Sequence, residues 1–218
     1  MVPVRDWVAW HRGYDDPGSP LSKRLERVSW HLGWALDQAP PGPIRLVSLC
    51  AGQGRDVLQV LPRHPRRDEV TAVLVEANAE NAGLASHDAA SAGLGGVEVR
   101  HADASLVANV ADVLPADVLL LAGIFGNVSD ADIERTVGAA SALCADGATV
   151  IWTRHRRPPD VTGQIRCWFA AGGFEEVAFE AVDGEFLTSV GVHRLARRSE
   201  KAAELPQGPL FSFGSNYA

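Results

Sequence analysis

The chain has 218 residues, 46% of them hydrophobic and 22% charged. Those are the proportions of one globular domain, and they exclude a chain disordered throughout. Lys and Arg number 20 against 27 Asp and Glu, a net charge of −7. Tight binding to bare nucleic acid normally needs a basic footprint, so nucleic acid is disfavoured as a partner.

No run of about 18 apolar residues is present, so no membrane span is expected. The N-terminal MVPVRDWVAWHRG lacks the apolar core of a signal peptide. Cys50, Cys144 and Cys167 form no CxxC pair. That pattern fits a reducing cytoplasm without a zinc site, with the three thiols as small buried side chains. The expected location is therefore cytoplasmic. A homo-oligomer remains open.

An aromatic-rich leader carries Trp7, Trp10, Trp30 and Trp34. Ser19-Pro20 is a helix start, with serine as cap and proline in the first turn. Leu21, Leu25, Val28, Leu32 and Leu36 follow at helical spacing, and the Pro-Pro-Gly-Pro run at 40–43 stops that helix. Strands are expected at 46–50, Val70–Glu76, Val97–His101, 118–122 and 148–153. Helices are expected at 54–61 and 79–92, the latter closed by Gly93.

Ser129 with Asp132 resembles a capping box and opens another helix. Thr162–Ala171 is a helix ended by Gly172-Gly173, followed by strands at Phe174–Ala181 and 189–195 joined through Asp183-Gly184. The end of the chain is a polar tail from Arg197, closing on Phe211-Ser-Phe213. Strand-helix alternation means a parallel sheet covered on both faces, with the last two strands antiparallel.

In an open α/β sheet, ligands bind at the carboxyl ends of the strands. The loops 51–55, 76–78, 103–105, 123–129, 154–160 and 182–185 therefore face the site. The basic cluster at 63–67 lies at the opposite edge and is expected to be solvated surface. In the first turn, Cys50-Ala51-Gly52-Gln53-Gly54, the glycines allow close backbone approach to a ligand, although a tight turn alone would also use them. The third glycine of a dinucleotide fingerprint is replaced by Val57. Glu76 ends the second strand 22 residues after Gly54. A carboxylate there can accept both hydroxyls of an adenosine ribose. Asp103, after the third strand, can accept an adenine amino group or cap a helix.

With these motifs placed, the chain resembles the class I S-adenosylmethionine-dependent methyltransferases. LVSLCAGQGRD resembles their first motif, VLVEAN the second and VRHADA the third. LLLAGIFGNVSDADI resembles the segment after their fourth strand, and GFEEVAFEAVDGEFLTSVGVHRL their closing hairpin. The resemblance spans 44–196. It implies a Rossmann-like seven-stranded sheet in order 3-2-1-4-5-7-6 with strand 7 antiparallel. It divides the chain into a helical cap (1–43), a cofactor-binding core (44–196) and a tail (197–218).

The resemblance also implies S-adenosylmethionine as cofactor. Gly52 and Gly54, with Ala51, would pass its methionine part. Glu76 would hold the ribose, Asp103 and the Ala104 amide the adenine, and Ala122 with Gly123 would line the methionine side. Two positions depart from the family: the usual acid of the first motif is Ser48, and its first glycine is Cys50. No Asp/Asn-Pro-Pro-Tyr/Phe follows the fourth strand, which argues against the branch that methylates nucleic-acid bases.

Methyl transfer from a sulfonium is an in-line displacement, so the protein mainly aligns acceptor and methyl. A base near neutral pH can assist. His155, His11 and Tyr14 are the candidates, and Asn127 is placed to orient an acceptor. Trp10 offers the acceptor a flat wall in a leader expected to act as a lid. Arg154, Arg156 and Arg157 fall on the ligand side and suggest an acidic or carboxylate-bearing small molecule. A non-catalytic cofactor-binding protein is the alternative. A nicotinamide-dependent oxidoreductase fits less well, given the missing third glycine and the terminal hairpin.

Overall fold

The protein is described from a computed structural model over residues 6–181, 187–197 and 205–213. Its strands are β1 (Ile44–Leu49), β2 (Val70–Glu76), β3 (Val97–His101), β4 (Ala116–Leu121), β5 (Cys144–His155), β6 (Phe174–Ala181) and β7 (Thr188–Leu195). They form one sheet in the order β3-β2-β1-β4-β5-β7-β6. Neighbours from β3 to β5 are parallel, and β7 runs antiparallel to both β5 and β6. The sheet matches the expected order and strand directions throughout. The Asp183-Gly184 turn lies outside the described residues.

The helices are α1 (Trp7–His11), α2 (Pro20–Gln38), α3 (Arg55–Val60), α4 (Ala79–Ser91), α5 (Asp130–Leu143) and α6 (Thr162–Ala171). None is long and apolar enough to cross a membrane. Successive side chains of a strand point to opposite faces, so the aliphatic strands feed two cores. Leu46, Leu74 and Leu120 pack with Leu32 and Leu36 of α2 and Val57 of α3. Val47, Leu119 and Leu121 pack with Ile133 and Val137 of α5 and Phe169 of α6. Serine and asparagine caps set the helix starts. Ser19 accepts from Ser22, Asn78 from Asn81 and Ser129 from Asp132, each through a backbone N–H.

Four expectations change. The fifth strand is longer than 148–153, because it pairs with Ala116 at Cys144 and with β7 out to His155. The 63–67 cluster is not simply solvated. The Arg66 guanidinium donates to the carbonyls of Leu36, Ala39, Pro40 and Gly42, so it caps the end of α2. Asp132 does not complete a capping box. Its carboxylate instead receives Arg135 and the Ser212 N–H. The tail is not wholly polar surface: Leu210 and Phe211 are buried, and the Leu210 N–H donates to the Ser105 carbonyl at 2.9 Å.

Under the β5–β7 pair, the Trp152 indole N–H donates to His193 Nδ1 at 3.1 Å, and His193 stacks on Phe169 at 4.4 Å. Gly191 makes room, since a Cβ there would lie 2.2 Å from the indole. Burial pushes the His193 pKa down to about 4. Above pH 6.5 both native and unfolded chains leave it neutral. As pH falls below 6.5, the unfolded chain takes a proton that the native state refuses until about pH 4, so stability is lost. Chemical denaturation should show a loss of about 2 kcal/mol from this site between pH 7 and pH 5. His193→Gln, which can still accept from Trp152, should flatten that part of the curve.

Candidate functional site

A cavity of about 430 Å³ opens at the carboxyl ends of the strands. Its floor is the turn after β1. There the Gly54 N–H donates to the Ala51 carbonyl at 2.8 Å, and the Ala51 N–H reaches the Val75 carbonyl at 3.0 Å. Gly52 has φ +58° and donates its N–H to Glu76 Oε2 at 2.8 Å, while Glu76 Oε1 accepts from the Asn78 N–H at 2.8 Å. A carboxylate has about four lone-pair sites, so Glu76 keeps acceptor capacity on the cavity wall.

Asp103 is the next carboxylate on the wall, with Ala104 beside it. Its Oδ1 accepts from the Ser105 N–H at 2.9 Å. Ala122 and Gly123 form the wall after β4, and nothing lies within 4 Å of where a Gly123 Cβ would sit. Ser48, Cys50 and Ala51 also line the cavity. Gly54 does not. A Cβ on it would meet the Leu74 side chain at 2.6 Å, so this glycine serves packing between the turn and β2.

Cys50 stands in the left-handed region at φ 54°, a conformation that favours glycine. Holding a side chain there costs about 1 kcal/mol or more. The turn thus keeps the shape that glycine would give it, with a thiol added. Burial, with Glu76 and Asp103 nearby, pushes the Cys50 thiol well up.

The leader closes the cavity. Trp7, Trp10, His11 and Tyr14 all face it. The rings of Trp10 and Tyr14 meet edge to face at 5.7 Å. Arg24 of α2 lies over both rings and donates to the Tyr14 hydroxyl. Arg55 also lies near the Tyr14 ring, 5.4 Å from its centroid, and its pair with Asp15 is 2.9 Å long. His11 sits against the glycine turn, where a Cβ on Gly52 would be 2.3 Å from its Nε2. Its Nδ1 is 2.6 Å from the Trp7 carbonyl oxygen, which can only accept. Nδ1 therefore carries the hydrogen, and Nε2, which abuts Gly52, carries the lone pair. Burial is the main cause of a lowered His11 pKa.

Of the three candidate bases, His11 and Tyr14 line the cavity and His155 does not. His155 is the last residue of β5, paired with Thr188 and packed against the Gly126 turn behind the cavity wall. Arg154 is buried within the sheet. It donates to the Phe125 carbonyl and lies 3.6 Å from Asp130, so it braces the loop after β4. Arg156 bonds Leu187 through its backbone N–H, and Arg157 is exposed. None of these four lines the cavity. Asn127 does, and its amide donates to the Gly123 carbonyl at 2.6 Å.

Sequence reasoning missed Arg24, Asp56, Phe211 and Phe213, all on the wall. The two phenylalanines come from the tail that Arg135 and Thr136 anchor through the Leu210 carbonyl. Two aromatics in a polar tail were the available signal. The Arg24 and Asp56 positions had none, since each looks like an ordinary exposed helix charge.

No family model and no curated protein matches the chain. Solved structures do. An O-methyltransferase family protein from Burkholderia thailandensis superposes with TM-score 0.65 at 18% identity, over 90% of this chain and 61% of that one. The CurJ carbon methyltransferase gives 0.64 at 16%, over 88% and 59%. This chain thus spans about 60% of the length of both. Magnesium protoporphyrin IX methyltransferase from Synechocystis PCC 6803, solved with bound SAM, gives 0.65 at 13%, over 88% and 91%. The fold is the methyltransferase Rossmann-like fold.

The cysteines give a direct check on this geometry. The expectation of three buried thiols holds for Cys144 but not for Cys167, which is exposed, nor fully for the half-buried Cys50. A thiol-disulfide reagent at neutral pH should therefore modify Cys167 rapidly. Cys50 should react at least about tenfold more slowly, because its thiolate is suppressed. Peptide mapping by mass spectrometry reads both rates.

Proposed function

We propose that the chain transfers a methyl group from S-adenosylmethionine to a small-molecule acceptor. The observation that carries this reading is the set of strand-end groups facing one cavity. Glu76 stands where a ribose would be held, Asp103 and Ala104 where adenine would be, and Gly123 leaves open space beside them. Phe211 and Phe213 add apolar surface to the same cavity. The residues present therefore fit the cofactor, which would supply a methyl group activated on a sulfonium.

The chain's own contribution is alignment, exclusion of water and one proton-accepting group. Trp7, Trp10 and Tyr14 give a planar acceptor flat surface at the cavity mouth. His11 is the base. His11 lines the cavity beside Gly52 with the lone pair on Nε2, and its lowered pKa keeps it neutral near pH 7. An acidic group on the acceptor would meet Arg55, since the pair of Arg55 with the exposed Asp15 is the kind that contributes little. Arg154, Arg156 and Arg157 are no longer the residues that motivate such an acceptor.

The test is incubation with methyl-labelled S-adenosylmethionine and pools of aromatic phenols, amines and carboxylates. S-adenosylhomocysteine should form above the protein-free rate in at least one pool. No product from any pool would contradict the reading. With an acceptor in hand, kcat should rise with pH through an apparent pKa below 6.5. His11→Asn should lower kcat by about 100-fold or more and remove that acid limb. An unchanged profile would reassign the base.

A further inference from the structure

The cavity holds a carboxylate that the protein itself does not neutralise. Asp56 of α3 is 8% exposed and lines the cavity. Its Oδ1 accepts from the Val57 N–H at 2.9 Å. Among the described residues no cation lies within ion-pair distance of it. Burial accordingly pushes its pKa up. A buried carboxylate without a partner is costly, and such groups usually mark where a ligand supplies the missing charge.

The nearest positive influence is Arg24 of α2, which lines the same cavity and pulls the Asp56 pKa back down. Among the described residues Arg24 forms no ion pair either, and its hydrogen bond goes to the Tyr14 hydroxyl. One wall therefore presents an anion and a cation that do not satisfy each other. That pattern is complementary to an α-amino acid zwitterion, with the carboxylate receiving an ammonium and the guanidinium a carboxylate.

We infer that Asp56 and Arg24 hold the amino acid tail of the cofactor, Asp56 binding its ammonium and Arg24 its carboxylate. This rests on the S-adenosylmethionine reading above. It also accounts for Ser48, which occupies the place of the usual first-motif acid and is uncharged. The anion that the tail requires has moved from β1 to the first turn of α3, two residues beyond Gly54.

The test compares two ligands by calorimetry on the full-length protein. S-adenosylhomocysteine carries the amino acid tail, and 5′-methylthioadenosine lacks it. The unsubstituted protein should bind S-adenosylhomocysteine at least about tenfold more tightly, as charge-assisted hydrogen bonds imply. Asp56→Asn keeps an acceptor for the Val57 N–H and removes the charge. It should weaken S-adenosylhomocysteine by about tenfold or more and leave 5′-methylthioadenosine within about twofold. Arg24→Met should behave likewise.

Without ligand, Asp56→Asn should melt at the same temperature or higher, because a buried charge has been removed. A lower melting temperature would assign Asp56 a structural role and overturn the inference. Equal loss for both ligands, or no loss for either, would overturn it too. If the unsubstituted protein bound S-adenosylhomocysteine and Asp56→Asn bound it equally well, this inference alone would fall. If the unsubstituted protein bound neither ligand, the cofactor reading would fall with it.

Discussion

The hydrogen bond from the Gly52 N–H to Glu76 ties the turn after β1 to the end of β2. Everything at the site is referenced to it. Gly52 stands in the left-handed region at φ +58°, and a Cβ on it would collide with His11. His11 fills that space, and through its contact with the Trp7 carbonyl the leader is set over the cavity. The same carboxylate accepts from Asn78, the residue that caps α4. One side chain thus fixes floor, lid and neighbouring helix, and it does so while remaining on the cavity wall.

The strands were the legible part of the sequence. Val70–Glu76 and Val97–His101 have the bounds expected of them, because aliphatic runs between breakers leave few alternatives. The strand-end acids followed from topology: once the sheet order was known, Glu76 and Asp103 had to meet at one edge. The leader residues that line the cavity were only partly legible. Which of His11 and His155 faces the cavity depends on where β5 stops, and a strand end carries no charge or periodicity signal of its own. β7 pairs β5 as far as His155, which draws Arg154 and His155 into the sheet.

Positive charge was misplaced for the same reason. An arginine run after a strand looks like a ligand loop, yet Arg154 is spent on the Phe125 carbonyl. Arg66, from the cluster taken as surface, completes the end of α2. Arg24 sits in an amphipathic helix among exposed charges, and only packing against the leader turns it toward the cavity. The tail is a similar case. Its two phenylalanines matter because α5 and the Ser105 carbonyl hold Leu210 in place.

Two local oddities share one physical account. Cys50 holds a glycine conformation, and Asp56 is a carboxylate buried, among the described residues, without an ion-pair partner. Both are unfavourable for folding, and both border the turn where a zwitterionic adenosine cofactor would lie. The most direct measurement is a crystal structure grown with S-adenosylhomocysteine. Adenine density beside Asp103 and Ala104, ribose on Glu76 and the amino acid tail between Asp56 and Arg24 is the result this account predicts. An unliganded cavity at saturating S-adenosylhomocysteine, or the ligand bound away from Gly52, would contradict it.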